Sequence, residues 1–512
     1  MTLILLLLLP LIVGLALPLV PQERPQLTRG VAAAASLAQL AVGLVAWRHP
    51  PADLSLSWLP RLGLGLELGL DGLSLPLVLL SALLTAMAVL ASPLDQSRPR
   101  LYYSLMLATN LGVVGAFLAR NALLFVLAFE LVLIPTTLLV AIWGGERRAG
   151  AAVRFLIYGA VSGLSLLAGM LAFGWFAQGA ESSAVLSEAI PAVNFSFEAL
   201  GRQPLDPVAQ RWVLALLLLG FGLKLPVVPL HGWQPISYSE APAPVVILLG
   251  GVVSKLGAYG LLRFGVGLLP DAWSAFSPWI AAAGAVSAVY GALNAVAATD
   301  IRRLMAYSSL GHMGLLVLAL AAATPMSLQG AVAQILAHGL IVALLFDCVG
   351  LIQRKTGTTV IAELSGLLNP IRGLPFTMGL MLVALMAAAG IPGLAGFPAE
   401  LLVFEGSWTV FPRATLICLV ASGFTAVYAV RLFNRVAFGR LDNNRADWQS
   451  TRLAERLPAV VLTALVVFAG IWPTGLTSWS EATTAAIALR HSDPQVQQLA
   501  FAPQSTSTPL PS

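Results

Sequence analysis

The sequence predicts an all-α polytopic membrane protein of about 14 transmembrane helices, with two inverted five-helix repeats that contain broken helices. Three observations carry this expectation. Of the 512 residues, 58% are hydrophobic and only 10% charged, with a mean hydropathy of +0.87, against roughly 25% charged in soluble domains. Apolar runs of about 20 residues, the length that crosses a bilayer, recur along the whole chain. Two of these runs are interrupted by prolines and glycines, and the interruptions lie five runs apart, the mark of duplicated transporter halves.

The runs fall at 2–20, 29–46, 73–92, 101–118, 120–142, 152–178, 211–229, 242–266, 274–297, 301–323, 328–353, 375–399, 412–434 and 458–476. The first, MTLILLLLLPLIVGLALPLV, has no basic residues ahead of it and no A-x-A site, and its charges follow it. It reads as a membrane helix and not as a signal peptide. Eighteen arginines and lysines fall in loops after odd-numbered helices and eight in the others. The positive-inside rule therefore puts the odd-numbered loops in the cytoplasm and both termini on the opposite side. The two remaining basic residues, Lys224 and Lys255, lie inside runs, although the chain has only three lysines.

Residues 1–100 are expected to hold three helices and an outer-side hairpin, read from the period-2 alternation of 62–72 (LGLGLELGLDG). The two repeats then cover 101–266 and 274–438, and 439–512 holds the last helix and a Pro/Ser/Thr-rich tail expected to be disordered. A long, mostly acidic loop is expected over 179–210.

Several chemistries are excluded. Cys348 and Cys418 each stand alone in an apolar run with no CxxC pair, which rules out iron–sulfur ligation, structural zinc and a disulfide framework. His49, His231, His312, His338 and His491 lack metal-ligand spacing, and no phosphate-cradling glycine loop follows a soluble strand. The net charge of +5 and pI near 9.5 reflect loop arginines, so no nucleic-acid partner is expected. No cofactor is expected in this chain, and lipid is its solvent.

The buried ionisable residues are the candidates for chemistry, because a charge at the bilayer centre costs roughly 2.5–3.5 kcal/mol even on the lenient scale. Lys255 lies about 12 residues, roughly 18 Å, from either end of its run, too deep for its stem to snorkel. Glu130 sits mid-run one turn before Pro135. Lys224 precedes Pro226 and Pro229, which must break the seventh helix. A broken helix is tolerated in lipid only against protein or a water-filled cavity. The second break, AGIPGLAGFPAE at 389–400, ends in Glu400. His312 and His338 lie inside runs ten and eleven, and with Lys255 and Glu400 would form a polar row across the membrane plane. Each of these residues could instead be structural, as an ion pair across a helix interface or a hydrogen-bonded core histidine. Asp347 is expected to face the interface near the end of its span.

At these residues the chain resembles the antiporter-like subunits of complex I, closest to the chain 4 type of cyanobacterial and chloroplast NAD(P)H-quinone oxidoreductase. The resemblance runs through LGLDGLSLPLVLL, FELVLIP, AIWGGERR, KLPVVPLH, KLGAYGLLRFG, YGALNAVAATD, MAYSSLGHMG, LLNPIRGLPF and AGIPGLAGFPAELLVF. It implies a proton-translocating membrane-arm subunit that sits beside other antiporter-like subunits, while separate partner subunits carry the redox chemistry with a quinone such as plastoquinone. Its key residues carry over onto Glu130, Lys224, Lys255, His312, His338 and Glu400. A Lys224–Glu130 pair would exist at rest, with protons passing from Lys255 by the histidines to Glu400. One departure stands out: the family's HTWLPDAH reads HGWQPISY at 231–238, with Ile236 in place of the acid and Tyr238 in place of the second histidine. This loop is expected on the cytoplasmic side, where protons would enter. The change leaves two readings: an entry route held by the remaining His231 or Glu240, or a loop reshaped for a different partner, as in a CO2-uptake form of a thylakoid complex with a peripheral CO2-hydration subunit contacting the 231–240 loop or nearby. The alternatives are a subunit of a free-standing Na+/H+ antiporter and a structural paralogue whose ion row is vestigial.

Overall fold

The computed structural model describes residues 1–181, 194–202, 205–441, 448 and 451–491. Residues 182–193, 203 and 204 of the expected acidic loop, and the tail after His491, lie outside them. Thirteen of the described helices are long and apolar enough to cross a membrane. They are α1 (Thr2–Ala16), α2 (Pro25–Arg48), α3 (Ser74–Ala91), α4 (Pro99–Leu118), α5 (Ala122–Trp143), α6 (Arg148–Glu181), α7 (Pro207–Lys224), α9 (Ala243–Val266), α10 (Pro270–Ala297), α11 (Ile301–Ala322), α12 (Pro325–Thr356), α15 (Pro412–Ala437) and α16 (Leu453–Ile471). The remaining expected pass, the twelfth along the chain, is the interrupted pair α13 (Pro375–Ala388) and α14 (Gly396–Trp408). The seventh pass is likewise broken, because α7 stops at Lys224 and the short α8 (Gln234–Glu240) follows.

The helix ends follow local sequence. Proline opens α2, α4, α7, α10, α12, α13 and α15, where its missing N–H has no partner to lose. Asn121, Asp206, Asp300 and Thr324 cap α5, α7, α11 and α12 through their side chains, satisfying donors that lipid cannot.

The apolar stretches of α9 and α12 are buried throughout, and α11 nearly so. Around this centre the outer helices turn large apolar side chains outward, among them Leu164 and Trp175 of α6, Trp279 of α10 and Phe468 of α16. Such faces suit a lipid solvent. Helices α10 and α11 meet at glycines: a Cβ on Gly291 would collide with the backbone nitrogen of Gly311. This close approach, of the small-residue kind favoured in membranes, sets the position of the neighbouring His312.

The hairpin is displaced from its expected place. Its strands are β1 (Leu54–Leu59) and β2 (Leu64–Leu68), antiparallel, with Gly63 at φ 65° in the turn. Residues 62–72 therefore supply only the second strand. The first is the Leu/Ser alternation LSLSWL, whose serines weaken the apolar pattern. Beside β2, the Asp71 carboxylate accepts from Arg120 Nη1 at 3.0 Å, from Arg263 Nη2, and from the backbone N–H groups of Leu73 and Ser74. Burial alone would raise the Asp71 pKa, but the Arg263 and Arg120 guanidiniums hold its carboxyl well below the ordinary range.

Candidate functional site

Two polar centres lie within the helices. The first contains Glu130 and Lys224. Helix α5 is irregular at Val132, between a segment ending at Leu131 and one starting at Leu133, so Glu130 sits two residues before the irregularity. The facing helix α6 places Gly163 opposite it, and a Cβ there would fall on the Glu130 carboxylate. Lys224, the last residue of α7, is buried with its ammonium 4.6 Å from the Phe129 ring centroid and 5.8 Å from that of Phe155. A cavity with an open volume of about 10 Å³ borders it, lined by Tyr158, Ser162, Leu223 and Trp233 among others, about the room one water needs.

The expected resting ion pair is therefore corrected. Among the described residues no Lys224–Glu130 contact lies within 4 Å. The lysine instead lies over the ring of Phe129, the residue just before Glu130, in cation–π contact.

The second centre is a connected row. Lys255 lies between two π-helical stretches of α9, Leu249–Val253 and Leu261–Val266, an irregularity frequent at functional sites. In the first stretch the Ser254 N–H bonds to Leu249 O, five residues back. The Lys255 ammonium donates to Gly250 O at 2.6 Å and lies 2.7 Å from His338 Nδ1 and 3.4 Å from Ser254 Oγ. Three acceptors for three N–H bonds make the charged lysine satisfiable here. The rings of His338 and His312 are 5.5 Å apart between centroids, and the Nε2 of each is buried without a protein partner. His312 Nδ1 is 3.3 Å from Glu400 Oε1, and Glu400 Oε2 accepts from Ser422 Oγ at 2.8 Å.

The structure thus joins Lys255, His338, His312 and Glu400 in one line across α9, α12, α11 and α14, and keeps Glu130 and Lys224 as a separate centre.

From the sequence, 231–240 is expected as a cytoplasmic loop where protons would enter. Instead it folds inward: Gln234 Nε2 donates to Ala306 O at 3.0 Å, and Arg302 donates to Tyr238 O and Ala241 O. Tyr238 is 0% exposed, packed edge-on to Phe346. Its hydroxyl adjoins Ser254 and Gln234 without completing a hydrogen bond to either. No residue of 231–240 is more than partly exposed, and Glu240 is held by the backbone N–H of Arg147 at 3.0 Å. Tyr238 therefore lies buried beside Trp233 of the Lys224 cavity and Ser254 of the Lys255 row.

Asp347 is also corrected. It is 1% exposed, and neither carboxylate oxygen has a hydrogen-bond partner. The reason is length: α12 runs on to Thr356, which leaves Asp347 nine residues inside the helix end. Among the described residues no group of three His, Cys, Asp or Glu is placed to hold a metal ion.

Comparison with known proteins adds the following. Residues 119–425 match the family described as NADH:quinone oxidoreductase/Mrp antiporter, TM. The chain is 35% identical over 501 residues to NAD(P)H-quinone oxidoreductase chain 4 2 of Thermosynechococcus vestitus, covering 94% of this chain and 91% of that one. It is 36% identical over 501 residues to NAD(P)H-quinone oxidoreductase chain 4 1 of Synechococcus sp. strain JA-3-3Ab, covering 94% and 92%. Among solved structures, a chain of respiratory complex I from Thermus thermophilus with bound NADH superposes with TM-score 0.84 at 28% identity, covering 95% of this chain and 99% of that one. A chain of the Mrp complex from Dietzia sp. shares the fold, with TM-score 0.82 at 19% identity, covering 98% and 99%.

Proposed function

The chain belongs to the NADH:quinone oxidoreductase/Mrp antiporter membrane family, and from that premise we propose that it moves protons through the Lys255–His338–His312–Glu400 row as a membrane-arm subunit of a quinone-reducing complex. The redox chemistry belongs to partner subunits. The observation that carries the reading is the 2.7 Å contact of Lys255 Nζ with His338 Nδ1 at the centre of the fold. When Lys255 releases its proton, the N–H bond broken at Nζ is replaced by one formed at His338 Nδ1, and the imidazolium's other N–H faces the next step. His312 takes the proton on and delivers it to Glu400, and the two unpartnered Nε2 atoms mark the gap that a bridging water would span.

The Glu130–Lys224 centre acts on this row by charge. A carboxylate that gains or loses its proton changes the field on Lys224, and Tyr238 lies beside both Trp233 of the Lys224 cavity and Ser254 of the Lys255 row. Release from Glu400 runs toward the face reached by the end of α14, eight residues on. In this reading the odd-numbered loops are cytoplasmic, the membrane is the thylakoid, and the five-helix units are 101–266 and 274–438. The arginine distribution and the relatives named above support that placement. Neighbouring antiporter-like subunits are the expected partners. The HGWQPISY departure keeps the CO2-uptake form in view, but the inward packing of 231–240 requires a peripheral CO2-hydration subunit to dock on neighbouring loops.

The test is coupled proton movement by the assembled complex in membrane vesicles. Lys255→Ala is expected to abolish most of it while electron transfer and assembly persist. Lys255→Arg should fail as well, since a guanidinium does not release its proton. Normal pumping by a fully assembled Lys255→Ala complex would overturn the role.

A further inference from the structure

Beyond Glu400 the polar lining continues, with one small cavity between Ser422 and the next hydroxyls. Ser422, which donates to Glu400, lines a small cavity together with His312, Ser308, Thr425 and Tyr428 of α11 and α15. Its open volume is about 10 Å³. Tyr428 is 2% exposed, and its hydroxyl donates to Ser308 Oγ at 2.7 Å and lies 3.1 Å from Thr425 Oγ1. Tyr428 also forms the inner wall of a second, larger cavity of about 200 Å³, lined by Thr299, Leu304, Ile361, Arg431 and Arg435 among others.

The chain direction fixes where this second cavity lies. Its lining comes from the last turn of α10, the first turn of α11, the last turns of α15 and the 361–362 segment, all at the odd-loop face. Ser308, Thr425 and Tyr428 lie between that face and mid-helix, and His312 and Ser422 lie deeper. Read inward, the polar groups run from the large cavity to Tyr428, to Ser308 and Thr425, and then to Ser422 and Glu400.

We propose that this cleft is a second access to Glu400, from the odd-loop face, with Tyr428 as the positioning residue that separates water in the cleft from the row. The inference rests on the row acting as the proton path. It makes Glu400 the group that meets both faces of the membrane. A proton taken from water in the cleft forms an O–H bond on the Tyr428 hydroxyl as that hydroxyl passes its own proton inward to Ser308 or Thr425. A water in the small cavity, which has room for about one, would take the proton from Ser308 or Thr425 while giving one to Ser422, and Ser422 protonates the Glu400 carboxylate along its hydrogen bond, so each O–H bond formed is matched by one broken.

The same geometry sets specificity. Arg431 and Arg435 line the outer cavity, so a metal cation would have to pass two guanidiniums, as in pores that exclude cations with arginine. A proton handed between hydroxyls need not travel as a free cation. The cleft thus fits protons and disfavours sodium.

The experiment uses the whole complex in vesicles. Tyr428→Phe keeps the ring and removes only the hydroxyl, and Ser422→Ala removes the next link. Each is expected to lower coupled proton movement several-fold, with the complex assembled and its Tm unchanged. Arg431→Ala with Arg435→Ala should make proton movement sensitive to added sodium. Tyr428→Phe and Ser422→Ala complexes that pump as the parent does would overturn the inference, as would a loss accompanied by an equal loss of Tm or of assembly, which would make the hydroxyls structural. Lys255→Ala measured alongside separates the two readings. If it abolishes pumping while both hydroxyl variants are neutral, the row stands and the cleft falls. If it pumps normally, the row itself falls.

Discussion

The two buried lysines occupy opposite kinds of surroundings. Lys255 is met by three acceptors and continues through two imidazoles to a carboxylate. Lys224 is met by two aromatic rings and a cavity the size of one water, with its carboxylate beyond ion-pair distance. A hydrogen-bonded chain can transfer a proton, whereas a lysine among rings chiefly responds to nearby charge. The first centre is therefore suited to control and the second to conduction, even though each sits at a helix irregularity.

Three changes would sharpen or break this contrast. The largest effect is expected at the charge pair itself: Glu130→Gln and Lys224→Ala should each reduce coupled proton movement several-fold. Their double variant should be about as impaired as the worse single, since groups acting as one unit are not additive. Losses that multiply in vesicle assays would show two independent roles. A smaller effect is expected at Gly163→Ala, which crowds the Glu130 carboxylate. It should cost a few-fold in pumping while leaving Lys255-side variants no worse in combination. Unchanged pumping in the assembled Gly163→Ala complex would remove the carboxylate's position from the account.

The smallest effect is expected at Asp71. Its carboxylate joins Arg120, at the start of the Glu130 helix, to Arg263 on the Lys255 helix, and so links the two centres mechanically on the hairpin side. Because its pKa is depressed in the fold, its contribution is present above the ordinary aspartate range near ~4 and is lost only as pH falls through the lower folded value. Thermal stability of the complex should thus show no Asp71-dependent change between about pH 5 and 8. Asp71→Asn should lower it by roughly 1–3 kcal/mol, the cost of leaving buried charged donors without their partner. An unaltered melting curve for Asp71→Asn would count against the link.

The six candidate residues stand out in the sequence because a charge or imidazole inside an apolar run has no cheap explanation. Both helix breaks were legible for a similar reason, since Pro226, Pro229 and the glycines of 389–400 cannot continue a helix in lipid. What could not be read was which buried groups touch. The Glu130–Lys224 pair was inferred from charge alone, and the structure interposes Phe129, an aromatic indistinguishable in sequence from its apolar neighbours. Tyr238 stands in the sequence where the family's loop carries a second histidine, and only the structure shows Gln234 and Arg302 holding α8 inward. Gly163 and Tyr428 carried no signal, because a glycine that makes room and a tyrosine at a cavity wall are recognisable only once the facing helix is known. Asp347 was placed at an interface because the end of α12 was set three residues short.

The central claim is that Lys255 and Glu400 are two ends of one conducting line. The most direct measurement is the number of protons moved per electron transferred by assembled complexes carrying Lys255→Ala, Glu400→Gln and both. One line predicts that each single variant loses most of the protons that this subunit moves, and that the double variant loses no more than the worse single. Losses in the double variant that multiply those of the singles, or a Glu400→Gln complex that pumps as the parent does, would contradict it.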